Sequence, residues 1–136
     1  MANTLKLEIV TPEGKAYSEE VDMVTLPGIL GEMGIYPNHV PLMTQIMAGE
    51  IVVRKDGQDY YLAVGEGFVE ITGARVAIMT DMAIQADDID EARAEEARRL
   101  AEVRLQEKLS DEDLAAANAA LVHSLALLKV KRKRHR

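Results

Sequence analysis

The sequence predicts two unlike parts: an all-β N-terminal antiparallel sandwich or barrel, followed by a C-terminal antiparallel α-helical hairpin. Three observations carry this. All nine glycines and all four prolines lie before residue 85, and alanine becomes dense after it. The first part consists of short β-rich runs separated by turn residues. The second contains a stretch, Asp87 to Leu109, with no Gly, no Pro and only Ile89 and Val103 as β-branched residues. The expected domains are residues 1–84 and 85–136.

Leu5, Leu7 and Ile9 alternate with Lys6, Glu8 and Val10, the period of a half-buried strand. Pro12-Glu13-Gly14 then turns the chain. Glu50–Arg54 and Tyr60–Val64 flank Lys55-Asp56-Gly57-Gln58, and Asp-Gly between β-rich runs signals a hairpin. Phe68–Ile71 and Arg75–Met79 flank a turn at Thr72-Gly73-Ala74. Gly28, Gly31 and Gly34 have GxxGxxG spacing with no helix pattern after them. They read as turn glycines, which supply positive φ, and not as a dinucleotide fingerprint.

The helical part opens with Asp87, Asp88 and Asp90, acids that complement a helix N-terminus. Glu95 and Arg99 stand at i,i+4 in the favourable order. Ser110 is a good N-cap for a second helix, and Asp113 occupies the capping-box position. A break of one or two residues between two helices implies an antiparallel hairpin. Its faces are alanine and charge, so its docking on the sandwich is worth a few kcal/mol at most, on the order of 25 cal/mol per Å² buried. A weakly docked, intrinsically stable helix pair can occupy more than one position.

Composition narrows function by exclusion. No cysteine is present, which removes disulfides, thiolate metal sites and a cysteine nucleophile. The total charge of −7 argues against a dedicated nucleic-acid binder. No apolar run approaches the roughly 18 residues of a membrane span. The N-terminus has no signal-peptide or transit character. His39, His123 and His135 fall in unlike contexts, and no nucleophile, base or metal set converges. The seven methionines read as core fillers. The charge is uneven: residues 1–84 carry −7, residues 85–110 carry −3 and residues 111–136 carry +3. The basic end, Lys129–Arg136, reads first as a solvated helix end, next as a contact for an acidic protein surface, and third as a nucleic-acid contact, since it has no aromatic interleaving and the rest of the chain is acidic.

Residues Gly31-Glu32-Met33-Gly34-Ile35-Tyr36-Pro37-Asn38-His39-Val40-Pro41-Leu42-Met43-Thr44 resemble the G-E-x-G-I-x-P-x-H-x-P-L-L-T segment of the epsilon subunit of bacterial F-type ATP synthases. Asp88-Ile89-Asp90-Glu91-Ala92-Arg93-Ala94 resembles that family's [IL]-D-x-x-R-A motif, and Leu127-Leu128-Lys129-Val130 resembles its L-[KR]-V helix end. The order and spacing hold from residue 4 to about 130.

The resemblance implies a non-catalytic rotor subunit of the central stalk, with no cofactor required. It implies the gamma subunit and the c-ring as partners, with Glu32 and His39 on the loop that meets the ring. It implies a hairpin that permits catalysis when folded down and blocks ATP hydrolysis when extended into the catalytic hexamer of alpha and beta subunits. Arg98, Arg99, Lys129, Lys131, Arg132, Lys133 and Arg134 would then meet an acidic segment of beta. The implied location is peripheral, on the cytoplasmic face of the bacterial inner membrane, with no direct insertion and no nucleic acid. Some family members bind regulatory ATP on the folded hairpin, which implicates Ile89, Asp90, Arg93 and Ala94. Here Ile84 stands where binders carry an acid, and the second helix offers His123 where they carry arginines. A structural role is therefore favoured, with Asp90 near a helix start and Arg93 bridging to the sandwich. The rival to the whole reading is a free-standing binding module that uses its basic tail for an acidic protein or nucleic-acid partner.

Overall fold

The computed structural model describes residues 4–134, with side chains through Lys133. His135 and the first three residues lie outside this range. Ten strands come first: β1 (Leu5–Thr11), β2 (Gly14–Val21), β3 (Met23–Gly28), β4 (Gly31–Ile35), β5 (Leu42–Ile46), β6 (Gly49–Lys55), β7 (Gln58–Val64), β8 (Gly67–Thr72), β9 (Arg75–Thr80) and β10 (Ala83–Gln85). A 3₁₀ turn at Ala86–Asp88 leads to α1 (Glu91–Leu105) and α2 (Asp111–Arg134).

The strands hydrogen-bond in the order β10-β7-β6-β3-β5-β8-β9-β1-β2, with β4 paired to β3. This path folds back on itself. Asp22 N–H donates to Arg54 O at 2.8 Å, and Lys55 pairs with Glu19, which brings the β2 edge beside β6. Between the layers lies one apolar core that includes Leu5, Leu7, Ile9, Leu26, Ile51 and Ile78. The inward residues of β1 are those its alternation predicts. One pairing departs from the antiparallel expectation: β1 runs parallel to β9, from Lys6 beside Arg75 to Val10 beside Met79. Turn chemistry dictates orientation only for strands adjacent in sequence, and these two are not.

Asp56 (φ 53°) and Gly57 (φ 78°) form the hairpin turn that Asp-Gly signals. The glycine triplet needs correction. Gly31 alone of the three has positive φ (127°), at the β3–β4 turn. Gly28 and Gly34 lie in strands, where a Cβ on Gly28 would come 2.8 Å from Gly31 O and one on Gly34 would come 3.1 Å from Met23 Cε. They serve close packing. The methionines are also mixed: Met33 packs on the core, but Met43, Met47 and Met79 are exposed.

The helical part also departs in detail. Asp87 and Asp88 sit in the 3₁₀ turn, and Asp90 is the N-cap of α1, its Oδ1 accepting from Arg93 N at 3.2 Å. The break between helices is Gln106–Ser110, longer than expected. Ser110 does cap α2, accepting from Asp113 N at 3.2 Å. Glu95 pairs with Arg98 and Arg132, and Arg99 pairs with Glu96 instead. By length and composition α2 would suffice to cross a bilayer, which corrects the sequence argument: its many alanines raise hydropathy without forming a bulky run. In the fold it lies against α1, β6 and β7.

Candidate functional site

Two regions present the predicted residues. The first is the end of the sandwich built by the β3–β4 turn and the segment after β4. Ile29 and Leu30 form the tip, and Leu30 is fully exposed. Glu32 stands beside Pro27 on β4 and is exposed. Asn38 takes φ 67°, and its N–H donates to Gly73 O at 2.9 Å, which ties the following loop to the β8–β9 turn. His39 Nδ1 lies 2.7 Å from Val40 O. Among the described residues no side-chain bond joins Glu32 to His39.

An apolar row that the sequence reading missed crosses the outer face of the sheet. Phe68 is beside Met79, and Met79 is beside Val10. All three are substantially exposed, as is Met43. The signal was present in the alternation: these outward positions carry apolar side chains where a solvated face would carry polar ones.

The second region is the docked hairpin. Val130, fully buried, packs with Ala63 of β7 and Ile89, flanked by Tyr61, Ile84, Ala86 and Leu127. Polar contacts complete the docking. His123 Nε2 lies 3.0 Å from Asp81 Oδ2, Lys131 Nζ donates to Ala86 O at 3.2 Å, and Lys133 reaches Glu50 at 3.7 Å. This interface is small beside the sandwich core.

Ile89, Asp90, Arg93 and Ala94 do come together. With Ile84, Asp88, Ala97 and Leu127 they line an open pocket of about 340 Å³. Ile89 is buried, and the Asp90 carboxylate caps α1. Among the described residues Arg93 makes no side-chain bond to the sandwich, so the expected bridge is absent.

The predicted basic contacts are engaged within the chain. Arg132 Nε lies 2.7 Å from Glu91 Oε2, and its Nη2 lies 2.7 Å from Glu95 Oε2. Arg98 bridges Glu95 and Glu102, and Arg99 meets Glu96 at 2.6 Å. Bonds from Arg98 and then Arg132 hold the Glu95 carboxyl below its ordinary range. Lys129 is exposed, and the Arg134 side chain lies outside the described residues. Among the described residues no group of three or more His, Asp or Glu is placed to hold a metal ion.

Residues 4–86 match the family model for the ATP synthase delta/epsilon chain β-sandwich domain, and residues 87–132 match the model for its long α-helix domain. The chain belongs to the ATP synthase epsilon-chain family. It is 45% identical over 133 residues to the ATP synthase epsilon chain of Dehalococcoides mccartyi, covering 97% of this chain and 95% of that one. It is 40% identical over 129 residues to the epsilon chain of Laribacter hongkongensis, covering 93% and 92%. The fold is shared with a chain in a structure of the Euglena gracilis mitochondrial ATP synthase (OSCP/F1/c-ring), at TM-score 0.75 and 21% identity over 93% of this chain and 81% of that one. A chain of the Tetrahymena thermophila central stalk and c-ring aligns at TM-score 0.64 and 11% identity, covering 93% and 96%. As a member of this family the chain is a subunit of an ATP synthase, in a family without catalytic function.

Proposed function

We propose that this subunit is part of the rotor of a proton-translocating F-type enzyme, carried on the central stalk with gamma and resting on the c-ring. The sandwich passes torque between them. The exposed row of Val10, Met79 and Phe68, with Met43, supports a protein contact on that face, which we assign to gamma. The tip at Ile29 and Leu30, with Glu32 and the loop of His39, is assigned to the polar loops of the ring. This places the subunit peripherally on the cytoplasmic face of the bacterial inner membrane.

The hairpin is a regulatory arm. Folded down it permits hydrolysis; extended along gamma it meets the alpha and beta subunits and blocks hydrolysis, with its basic residues against an acidic segment of beta. The observation that carries this is the contrast between a large sandwich core and a docking interface of three buried residues plus exchangeable polar contacts. Deleting the residues after Leu128 is expected to raise ATPase activity of the assembled enzyme. Unchanged hydrolysis at every ATP concentration would reject the inhibitory arm and leave the rotor assignment standing. Reversing charge at Glu32 is expected to weaken coupling of proton flow to synthesis, and undiminished ATP-driven proton pumping would remove the ring contact.

For the pocket beneath Ile89–Ala94 we infer a structural role. Its walls are largely apolar, Arg93 is its one cation among the lining residues, and Asp88 and Asp90 would repel a polyphosphate. Calorimetry of the full chain with ATP is expected to show millimolar affinity or none. Micromolar binding would assign the pocket to regulatory ATP.

A further inference from the structure

We propose that α1 is an internal competitor for the cations of α2. Glu91 and Glu95 hold Arg132 in the folded hairpin, and their strength sets how readily the basic end is released to an external acidic surface. This rests on the extendable-arm reading above and names what controls it.

The geometry is specific. Glu91 and Glu95 are i,i+4 neighbours on one face of α1. Both aim a carboxylate oxygen at Arg132, one at Nε and one at Nη2, each at 2.7 Å. The last turn of α2 is thereby clasped to the first turn of α1, where acids and bases also suit the two helix dipoles. The apolar seam contributes little in comparison. The buried residues of α1 are Ala94 and Ala101; on α2 they are Ala117, Ser124, Ala126, Leu128 and Val130, the last in the cluster with Ala63 and Ile89. The α1 side buries only alanine, which contributes little area, so charge-assisted bonds add a substantial share of the closure. Glu95 is shared with Arg98, so its field is already partly neutralised and Arg132 can be given up at a modest cost.

A guanidinium that spends Nε and Nη2 on two internal carboxylates cannot offer the same edge to a partner. Release must therefore exchange one carboxylate set for another of the same chemistry. Such an exchange is nearly balanced and responds to small biases. Lys133 on Glu50 and Lys131 on Ala86 O must be surrendered in the same step.

Competition makes a prediction of sign. Glu91→Gln with Glu95→Gln breaks the clasp but leaves Arg132 for the partner. Arg132→Gln breaks the same bonds and removes the external contact too. Opening is read in the full chain by the distance between spin labels placed through Glu96→Cys and Lys129→Cys. Hydrolysis is read in the assembled enzyme. Both variants are expected to raise the open population by about threefold or more. Inhibition of hydrolysis is expected to deepen in the glutamate variant and weaken in the arginine variant. An unchanged open population in the glutamate variant overturns the proposal. Hydrolysis that shifts in the same direction in both variants also overturns it, since a clasp of purely structural importance does that. Opening without any change in hydrolysis upholds the clasp and rejects the inhibitory arm on which its regulatory meaning rests.

Discussion

His123 of α2 and Asp81 of the β9–β10 turn meet at 3.0 Å across the gap between hairpin and sandwich, above a glycine that leaves them room. A Cβ on Gly65 would come 1.9 Å from Asp81 Oδ1 and 2.9 Å from His123 Nε2. The turn is braced from behind, with Thr80 Oγ1 donating to Glu66 O at 3.0 Å and Gly65 N–H to Met82 O at 2.9 Å. Because the nearest obstacle is the end of a half-exposed side chain, Gly65→Ala is expected to push Asp81 aside and spare the sandwich. It should reproduce His123→Ala: hydrogen exchange in the middle of α2 quickens by about twofold to fivefold, the range of a partly exposed pair, with no change in sandwich protection. A Gly65→Ala chain whose α2 exchanges at the wild-type rate would remove this pair from the docking interface.

Gly67 offers the contrast. A Cβ there would come 1.9 Å from Met79 O, and that obstacle is backbone in the paired strand. Gly67→Ala is expected to destabilise the whole sandwich by about 2–3 kcal/mol, as overpacking does. Chemical denaturation followed by circular dichroism checks it; a midpoint within error of wild type would show that β8 and β9 can separate freely.

Two apolar truncations should separate core from docking. Leu7 is fully buried in the sandwich, and Leu7→Ala is expected to cost about 2–5 kcal/mol of global stability. Val130 is equally buried, but in the small cluster with Ala63 and Ile89. Val130→Ala is expected to cost about 1–2 kcal/mol and to appear as local release of α2, not as a lower sandwich melting point. Exchange measured segment by segment distinguishes the two, and a loss of sandwich protection in Val130→Ala would contradict independent docking.

Acid should expose Glu8. Its nearly buried carboxylate lies 2.9 Å from Lys15 Nζ and 2.5 Å from Arg75 Nη2. The hydrogen bond from Lys15 holds its pKa below the ordinary 4.5; burial opposes this and the Arg75 charge assists. A carboxyl lowered in the folded state adds stability above its unfolded pKa and loses it as pH falls through the folded one. Glu8→Gln is therefore expected to be less stable than wild type at neutral pH, with the gap closing below about pH 4.5. Urea midpoints across that range test it, and a gap that stays constant into acid would show that Glu8 is not the titrating group.

The two-part architecture was legible because it rests on local rules. Leu5, Leu7 and Ile9 alternate with a period that only a strand can use, Asp56-Gly57 suits only a turn of positive φ, and Ser110 caps the helix that follows it. Strands β2 to β5 and β10 were not singled out: β2, β3 and β4 contain Gly, Pro or charge, and β5 and β10 are only five and three residues long. Their identity comes from partners distant in the chain. The segment from Gly31 to Thr44 identified the family, although its glycines serve packing as much as turning.

By itself the sequence determined the order of the two parts, the inward face of β1, the Ser110 cap and the uneven distribution of charge. Each depends on a residue and neighbours within one turn or one hairpin. Only the tertiary structure decided that β1 lies parallel to β9, that Val10, Met79 and Phe68 form one exposed row, and that Arg132 belongs to Glu91 and Glu95. These pairings join residues far apart in the chain. An ion pair is undirected in sequence, since any of several acids can answer a given arginine. Which one does is settled by the packing of alanines that brings two helices together at one register.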